Sequence, residues 1–189
     1  MKILQLAFAG AFALASLTGT AFAQAKDYLT IQLKDGPVVI ELLSDVAPKH
    51  VARIKELAEA GEYDNVAFHR VIPGFMAQTG DVQYGDMEQG FDASAAGTGG
   101  SSEQNLPAEF SDVPFVRGTV GMARAQDPNS ANSQFFIMFA PGDFLNGQYT
   151  VVGQVVEGME NVDKIKMGDE ANNGSVTDPD RMISVKVGK

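Results

Sequence analysis

The run Phe68-His69-Arg70-Val71-Ile72-Pro73-Gly74-Phe75-Met76-Ala77-Gln78-Thr79-Gly80-Asp81 sets a lone arginine on one strand-like stretch and a Phe/Met/Gln set on the next, with Pro73-Gly74 turning the chain between them. A guanidinium stays charged at physiological pH and offers several N–H groups in a rigid fork. Beside an apolar seat it suits a reaction in which a neutral amide has to be twisted. Further on, Gln134 and Phe136 share one face of a strand, while Phe135 and Ile137 face the opposite, core side. Phe75 and Met76 are adjacent, so a regular strand would point them apart. For both to line one pocket the strand must bend, and Pro73-Gly74 supplies the bend.

Rotation about an amide costs ~18–20 kcal/mol because it breaks the C–N resonance. Only the X–Pro bond populates both isomers enough for catalysis of that rotation to matter. At the twisted transition state the proline nitrogen regains a localised lone pair and can accept a hydrogen bond. A donor aimed there acts on the transition state alone, which is the condition for raising the rate. The reaction needs no nucleophile, metal, cofactor or proton transfer. Arg70 is the candidate donor, and Gln78 and Gln134 can bond a substrate backbone or hold Arg70 in place.

The Phe68–Asp81 run, followed in order by Asn132-Ser133-Gln134-Phe135-Phe136-Ile137, closely resembles the cyclophilin family of peptidyl-prolyl isomerases. The resemblance extends from about Tyr28 to the C-terminus. It implies a mainly β fold, an eight-stranded antiparallel closed β-barrel capped by two α-helices. It also implies the catalytic role for Arg70 and an apolar proline pocket of Phe75, Met76, Phe136 and Leu145. Ala123 and Arg124 match positions that contact the residue before proline. Many relatives carry asparagine where Arg124 stands, and the added charge bears on substrate preference. Phe144 and Tyr149 stand where the best-known eukaryotic members have tryptophan and histidine; an aromatic wall and a polar tip are preserved. Phenylalanine lacks the indole N–H associated with tight cyclosporin binding, so the resemblance implies weak cyclosporin binding.

Residues 1–23 read as a secretory signal. Lys2 gives a positive start, Ile3 to Leu17 is mostly apolar, and Ala21-Phe22-Ala23 supplies small residues for cleavage before Gln24. The apolar run is short of the ~20 residues needed to span a bilayer, so no stable membrane insertion is expected. The expected mature domain is 24–189, and its compartment is the periplasm. Lys2 is the leader's one charged side chain, so its removal takes the net charge of −10 to −11. That acidity argues against nucleic-acid binding, which needs a basic patch. The chain has no cysteine, hence no disulfide, thiolate chemistry or lipid-anchoring cysteine. The expected partners are proline-containing peptides and unfolded exported proteins, bound by a monomer.

The elements that must position these residues are legible as short runs. Leu29, Ile31 and Leu33 alternate with polar residues, Asp35-Gly36 suits a hairpin turn, and Val38 to Leu43 returns. Pro48 opens a helix running to about Ala60, with Val51, Ile54 and Leu57 or Ala58 on one face and Gly61 as its stop. Further strands are expected at Val66–Ile72, Phe75–Gly80, Thr119–Arg124, Gln134–Phe139, Tyr149–Val156 and Met182–Val187. A short helix is expected at Met159–Lys166. Val82 to Ser102, rich in glycine and small residues, reads as a long surface loop.

Other chemistries fit poorly. His50, on the first helix, reads as solvated, and His69 points away from Arg70 towards the core. No Gly-x-Ser-x-Gly elbow accompanies either. Two histidines without cysteine make a poor zinc site. Asp169 to Asp180 resembles a calcium loop only weakly, with Ala171 in a ligand position and Asp180 in place of the closing glutamate. Gly97 to Ser102 lacks the lysine of a phosphate cradle and reads as a solvated turn. The alternative function is a proline-peptide-binding chaperone or holdase with incidental catalysis, distinguished by whether cis–trans exchange of a short peptide is accelerated.

Overall fold

Alternation of Leu29, Ile31 and Leu33 with polar neighbours is realised as strand β1 (Asp27–Leu33), paired antiparallel with β2 (Gly36–Leu42). The computed structural model describes residues 26–189, so the expected signal segment 1–23 and its cleavage point lie outside the described residues. Leu33 pairs with Gly36, so the hairpin turn is Lys34-Asp35, one residue earlier than expected. Helix α1 (Pro48–Glu59) follows, then β3 (Arg70–Ile72), β4 (Met76–Thr79), β5 (Thr119–Met122), β6 (Phe135–Met138), β7 (Val151–Glu157), helix α2 (Met159–Val162) and β8 (Ser184–Val187). All eight strands lie in one antiparallel sheet of order β3-β4-β6-β5-β7-β2-β1-β8.

The sheet curls into a barrel whose seam is not a ladder. Val66 to Phe68, expected as the start of β3, instead cross to the segment before β8. The bonds are Asn65 N–H to the Met182 carbonyl (2.7 Å), Met182 N–H to Val66 (2.9 Å) and Phe68 N–H to Asp180 (2.8 Å). The barrel is therefore a curled half-barrel stitched by single bonds rather than a closed one. Inside sit Leu29, Ile31, Ile40, Tyr63, Phe68, Phe135 and Ile137. The Tyr63 hydroxyl donates to the Ser133 carbonyl at 2.7 Å, and its ring meets Phe135 edge-on, so no polar atom is stranded there.

Helix α1 buries Val51, Ile54, Leu57 and Ala58 as its spacing predicts. Its C-terminus closes as a Schellman motif, with Glu62 N–H on the Leu57 carbonyl and Gly61 N–H on Ala58; Gly61 takes the required φ of +76°. The second helix is shorter than expected. After Val162 the chain tightens to a three-residue turn at Ile165, and the Asp180 carboxylate takes the Lys166 N–H at 2.8 Å.

His50 is not solvated; it is fully buried. Ala47, before α1, has no side-chain oxygen to cap the helix, and Glu109 reaches in from sixty residues away in its place. Its carboxylate accepts the N–H groups of Lys49 and His50 and sits 2.6 Å from the His50 Nδ1, which carries the proton when Glu109 is ionised. Burial alone would raise the Glu109 carboxyl, but the hydrogen bonds from the His50 ring and the two backbone N–H groups outweigh it. The result lies below the usual glutamate range. A depressed carboxylate contributes stability above its unfolded value and loses it as pH falls through the folded one. Glu109→Ala is expected to cost about 1–3 kcal/mol at neutral pH, a fall in Tm of roughly 3–10 °C. The gap to wild type should narrow on acidification below about pH 4.5. Thermal melts across pH test this, and a gap independent of pH would refute it.

Candidate active site

Strand order and register build the site. Arg70 on β3 pairs with Gln78 on β4, Gln78 pairs with Phe136 on β6, and Phe136 pairs with Gly121 on β5. These four positions form one row across the outer face of the barrel, with directly opposed side chains in reach of one another. Ala77 and Ile137, one step along, face the core as alternation requires. Gly121 carries no side chain because a Cβ there would lie 2.5 Å from Phe115 and 2.6 Å from Phe136. Its absence lets those two rings stack at 5.7 Å. Met76, Phe115, Phe136, Met138, Leu145 and Val151 make a second apolar cluster, separate from the core, that forms the site's floor.

Above this floor lies a cleft of about 270 Å³ lined by Arg70, Phe75, Met76, Gln78, Ala123, Arg124, Phe136, Phe144, Leu145 and Tyr149. These are all the site residues expected from sequence except Gln134. Phe75 reaches the cleft from the turn that precedes β4 rather than from a bent strand; Gly74 is left-handed and Phe75 N–H returns to the Ile72 carbonyl at 3.1 Å. Phe144 is 70% exposed and rests on Phe75, ring centroids 5.5 Å apart. Tyr149 meets Phe136 edge-on and is covered by the Arg124 guanidinium, 4.4 Å from its ring centre. Arg124 is further held by the carbonyls of Ala125, Gln126 and Gln148.

Gln134 lies in an adjoining cleft of about 390 Å³, whose walls also include Gly97, Thr98, Gly99, Ser130 and Asn132. Gln78, Ala123 and Arg124 belong to both clefts. Gln134 nevertheless acts on the first. Arg70 Nη1 donates to Gln78 Oε1 (3.2 Å), Gln78 Nε2 to Gln134 Oε1 (2.9 Å), and Gln134 Nε2 to the Gly99 carbonyl (2.8 Å). Gly97 and Gly99 in turn give their N–H groups to the buried Asp81 carboxylate, which also takes those of Gln83 and Tyr84. The turn expected to be solvated is thus docked on the site through Gly97 and Gly99, while Thr98 and Ser102 stay exposed.

Arg70 is fixed from its other side by Asn173, whose carbonyl takes Nε (3.0 Å) and whose Oδ1 takes Nη2 (3.0 Å). Nothing in the sequence reading singled out Asn173. It falls in the segment that weakly resembled a calcium loop, and that segment instead forms a one-turn 3₁₀ helix, Glu170–Asn172, with Asn173 left-handed after it. Asn-Gly at 173–174 was the available signal for a turn, though not for its target. Burial lowers the Arg70 guanidinium from its ordinary value, yet such a group stays cationic at neutral pH. His69 is buried beside Gln134 and Gly97 and lines neither cleft; burial lowers its value too, so it stands neutral.

The family profile described as cyclophilin type peptidyl-prolyl cis-trans isomerase/CLD matches residues 28–187. The chain belongs to the cyclophilin family. A protein of Brucella suis described as a probable peptidyl-prolyl cis-trans isomerase is 62% identical over 182 residues, covering 95% of this chain and 93% of that one. The peptidyl-prolyl cis-trans isomerase B of Escherichia coli K12 is 38% identical over 146 residues, 73% of this chain and 83% of its own. A solved Cryptosporidium parvum cyclophilin, determined in the presence of the dipeptide Ala-Pro, superposes with a TM-score of 0.72 at 25% identity, covering 86% of this chain and 99% of that one. This cyclophilin is accordingly a peptidyl-prolyl cis-trans isomerase, and its family binds proline-containing peptides.

Proposed function

We propose that the substrate's proline ring sits on Phe136 and Met76, between Phe75, Leu145 and Tyr149, and that Arg70 donates to the prolyl nitrogen as the bond twists. The observation that carries this is the way Arg70 is held. Three of its N–H groups are committed to Asn173 and Gln78, while a second Nη1 hydrogen faces only the Met76 sulfur at 4.0 Å and a second Nη2 hydrogen has no partner among the described residues. The free donors stand at the rim of an apolar cleft. A fixed donor loses little on meeting a nitrogen that becomes basic only in the transition state. The neutral partners of Arg70 leave its charge undiminished.

Arg70→Ala should fold normally and lose about 10²–10³-fold in turnover, while proline-peptide affinity falls far less because the apolar floor is intact. Arg70→Lys should rescue poorly, since a point charge lacks the fork. Near-wild-type turnover of folded Arg70→Ala would end this mechanism. Accelerated exchange in the wild type also separates this reading from a holdase that only binds.

We further propose that the enzyme works on exported chains in the periplasm. The support is the apolar run and Ala21-Phe22-Ala23 site in residues 1–23, with a cysteine-free domain that needs no oxidant. Intact mass of protein recovered from a secreting host should correspond to a chain beginning at Gln24; retention of Met1 to Ala23 in membranes would contradict it.

Cyclosporin is proposed to bind weakly. Phe144 keeps the wall over Phe75 but has no N–H to offer. A lost hydrogen bond costs ~0.5–1.5 kcal/mol, so Phe144→Trp should tighten inhibition by roughly threefold to tenfold with little change in turnover of a short peptide. Unchanged inhibition would remove Phe144 as the determinant.

A further inference from the structure

The chain carries 24 acidic against 14 Lys and Arg side chains. Three of its arginines, Arg53, Arg117 and Arg181, pair with carboxylates. The two that line the apolar cleft, Arg70 and Arg124, form no ion pair with a carboxylate among the described residues. No Asp or Glu lines that cleft or the one beside it. An acidic protein has therefore left one surface region lined by two guanidiniums and by no carboxylate, the buried Asp81 behind Gly97 and Gly99 being bonded to backbone N–H groups instead.

Arg124 is built to keep that charge in place. Its fork is held by three backbone carbonyls at 2.8–3.2 Å and lies over the Tyr149 ring, so neutral groups fix it without cancelling it. One Nη2 hydrogen is left over by those bonds. With Gln78 and Ala123, Arg124 is shared by both clefts. A peptide with its proline in the first cleft and its chain running into the second must cross it.

We propose that Arg124 is a specificity-determining counter-charge, and that this isomerase prefers X–Pro substrates whose residue flanking the proline at that crossing carries a carboxylate. The proposal rests on the proline seat described above. A carboxylate there finds the Arg124 guanidinium, with Arg70 farther along the first cleft; a neutral amide finds hydrogen-bond donors only, and an ammonium is repelled. Because the site is open to water, the discrimination is modest, and salt reduces it.

The test compares kcat/KM for neutral-capped proline tetrapeptides with Glu, Gln or Lys either directly before or directly after the proline. Wild type is expected to favour Glu over Gln by about threefold, with Lys below Gln, at one of the two positions. The Glu-to-Gln ratio should shrink in about 0.5 M salt, where the Debye length is only a few Å, and approach one in Arg124→Gln. Arg124→Lys, which keeps the charge, should retain part of the preference. A ratio within one variant cancels any general loss from a disturbed Tyr149 wall. Equal kcat/KM across both series, or a preference that survives in Arg124→Gln, overturns the proposal. Turnover of none of the peptides overturns the proline seat and this proposal with it.

Discussion

The register of β3, β4 and β6 is the constraint on which the rest depends. Arg70, Gln78 and Phe136 are useful together only because they oppose one another on adjacent strands. Side-chain direction alternates with period two, so a slip of one residue would send Gln78 inward and bring Ala77 out. The cores on the two faces prevent the slip. Phe135 and Ile137 are locked among the inner residues, and Phe136 and Met138 among the outer cluster. Register here is enforced from both sides of the sheet, and the positions of the guanidinium and its floor follow from it.

Around that row the fold places neutral polar partners rather than carboxylates. Asp81 illustrates the arrangement: it is fully buried, its charge is met by four backbone N–H groups, and it acts on the site only through the glycine loop it holds. The charge balance of the loop is thereby settled away from Arg70. The Gln78–Gln134 pair carries orientation from loop to arginine while contributing no net charge of its own.

Much of this was legible in sequence, for physical reasons. The alternating runs and the family motifs placed Arg70, the apolar pocket and the strand faces, because period-two patterning records which side of a strand is buried. The ends of elements were less legible. Lys166 N–H meets Asp180 and shortens α2, while Asn65 and Val66 bond Met182 instead of extending β3. Both depend on partners far along the chain that no local pattern announces. The same holds for His50, expected to be solvated on its helix but buried with its ring bonded to Glu109, and for Asn173, whose importance lies in what it touches. Gly97 and Gly99 looked like a loose turn because the residue that organises them, Asp81, belongs to another element.

The stitched seam of the half-barrel bears on what the protein must avoid. The outer edge of β3 is taken up by Gly168, Gly174 and Val176, which bond Val71 and His69. On the opposite edge of the sheet, Met182 bonds Val66 and the Val185 N–H is held by the Asp64 side chain at 2.7 Å. Among the described residues the β3 rim is thus bonded along its length, and the β8 rim is bonded at its start. A sheet edge with unpaired N–H and C=O groups is a template on which another backbone can pair. Where a rim is already bonded, a foreign strand finds less of a template to join, and the sheet that carries the cleft is to that extent kept from pairing with another chain.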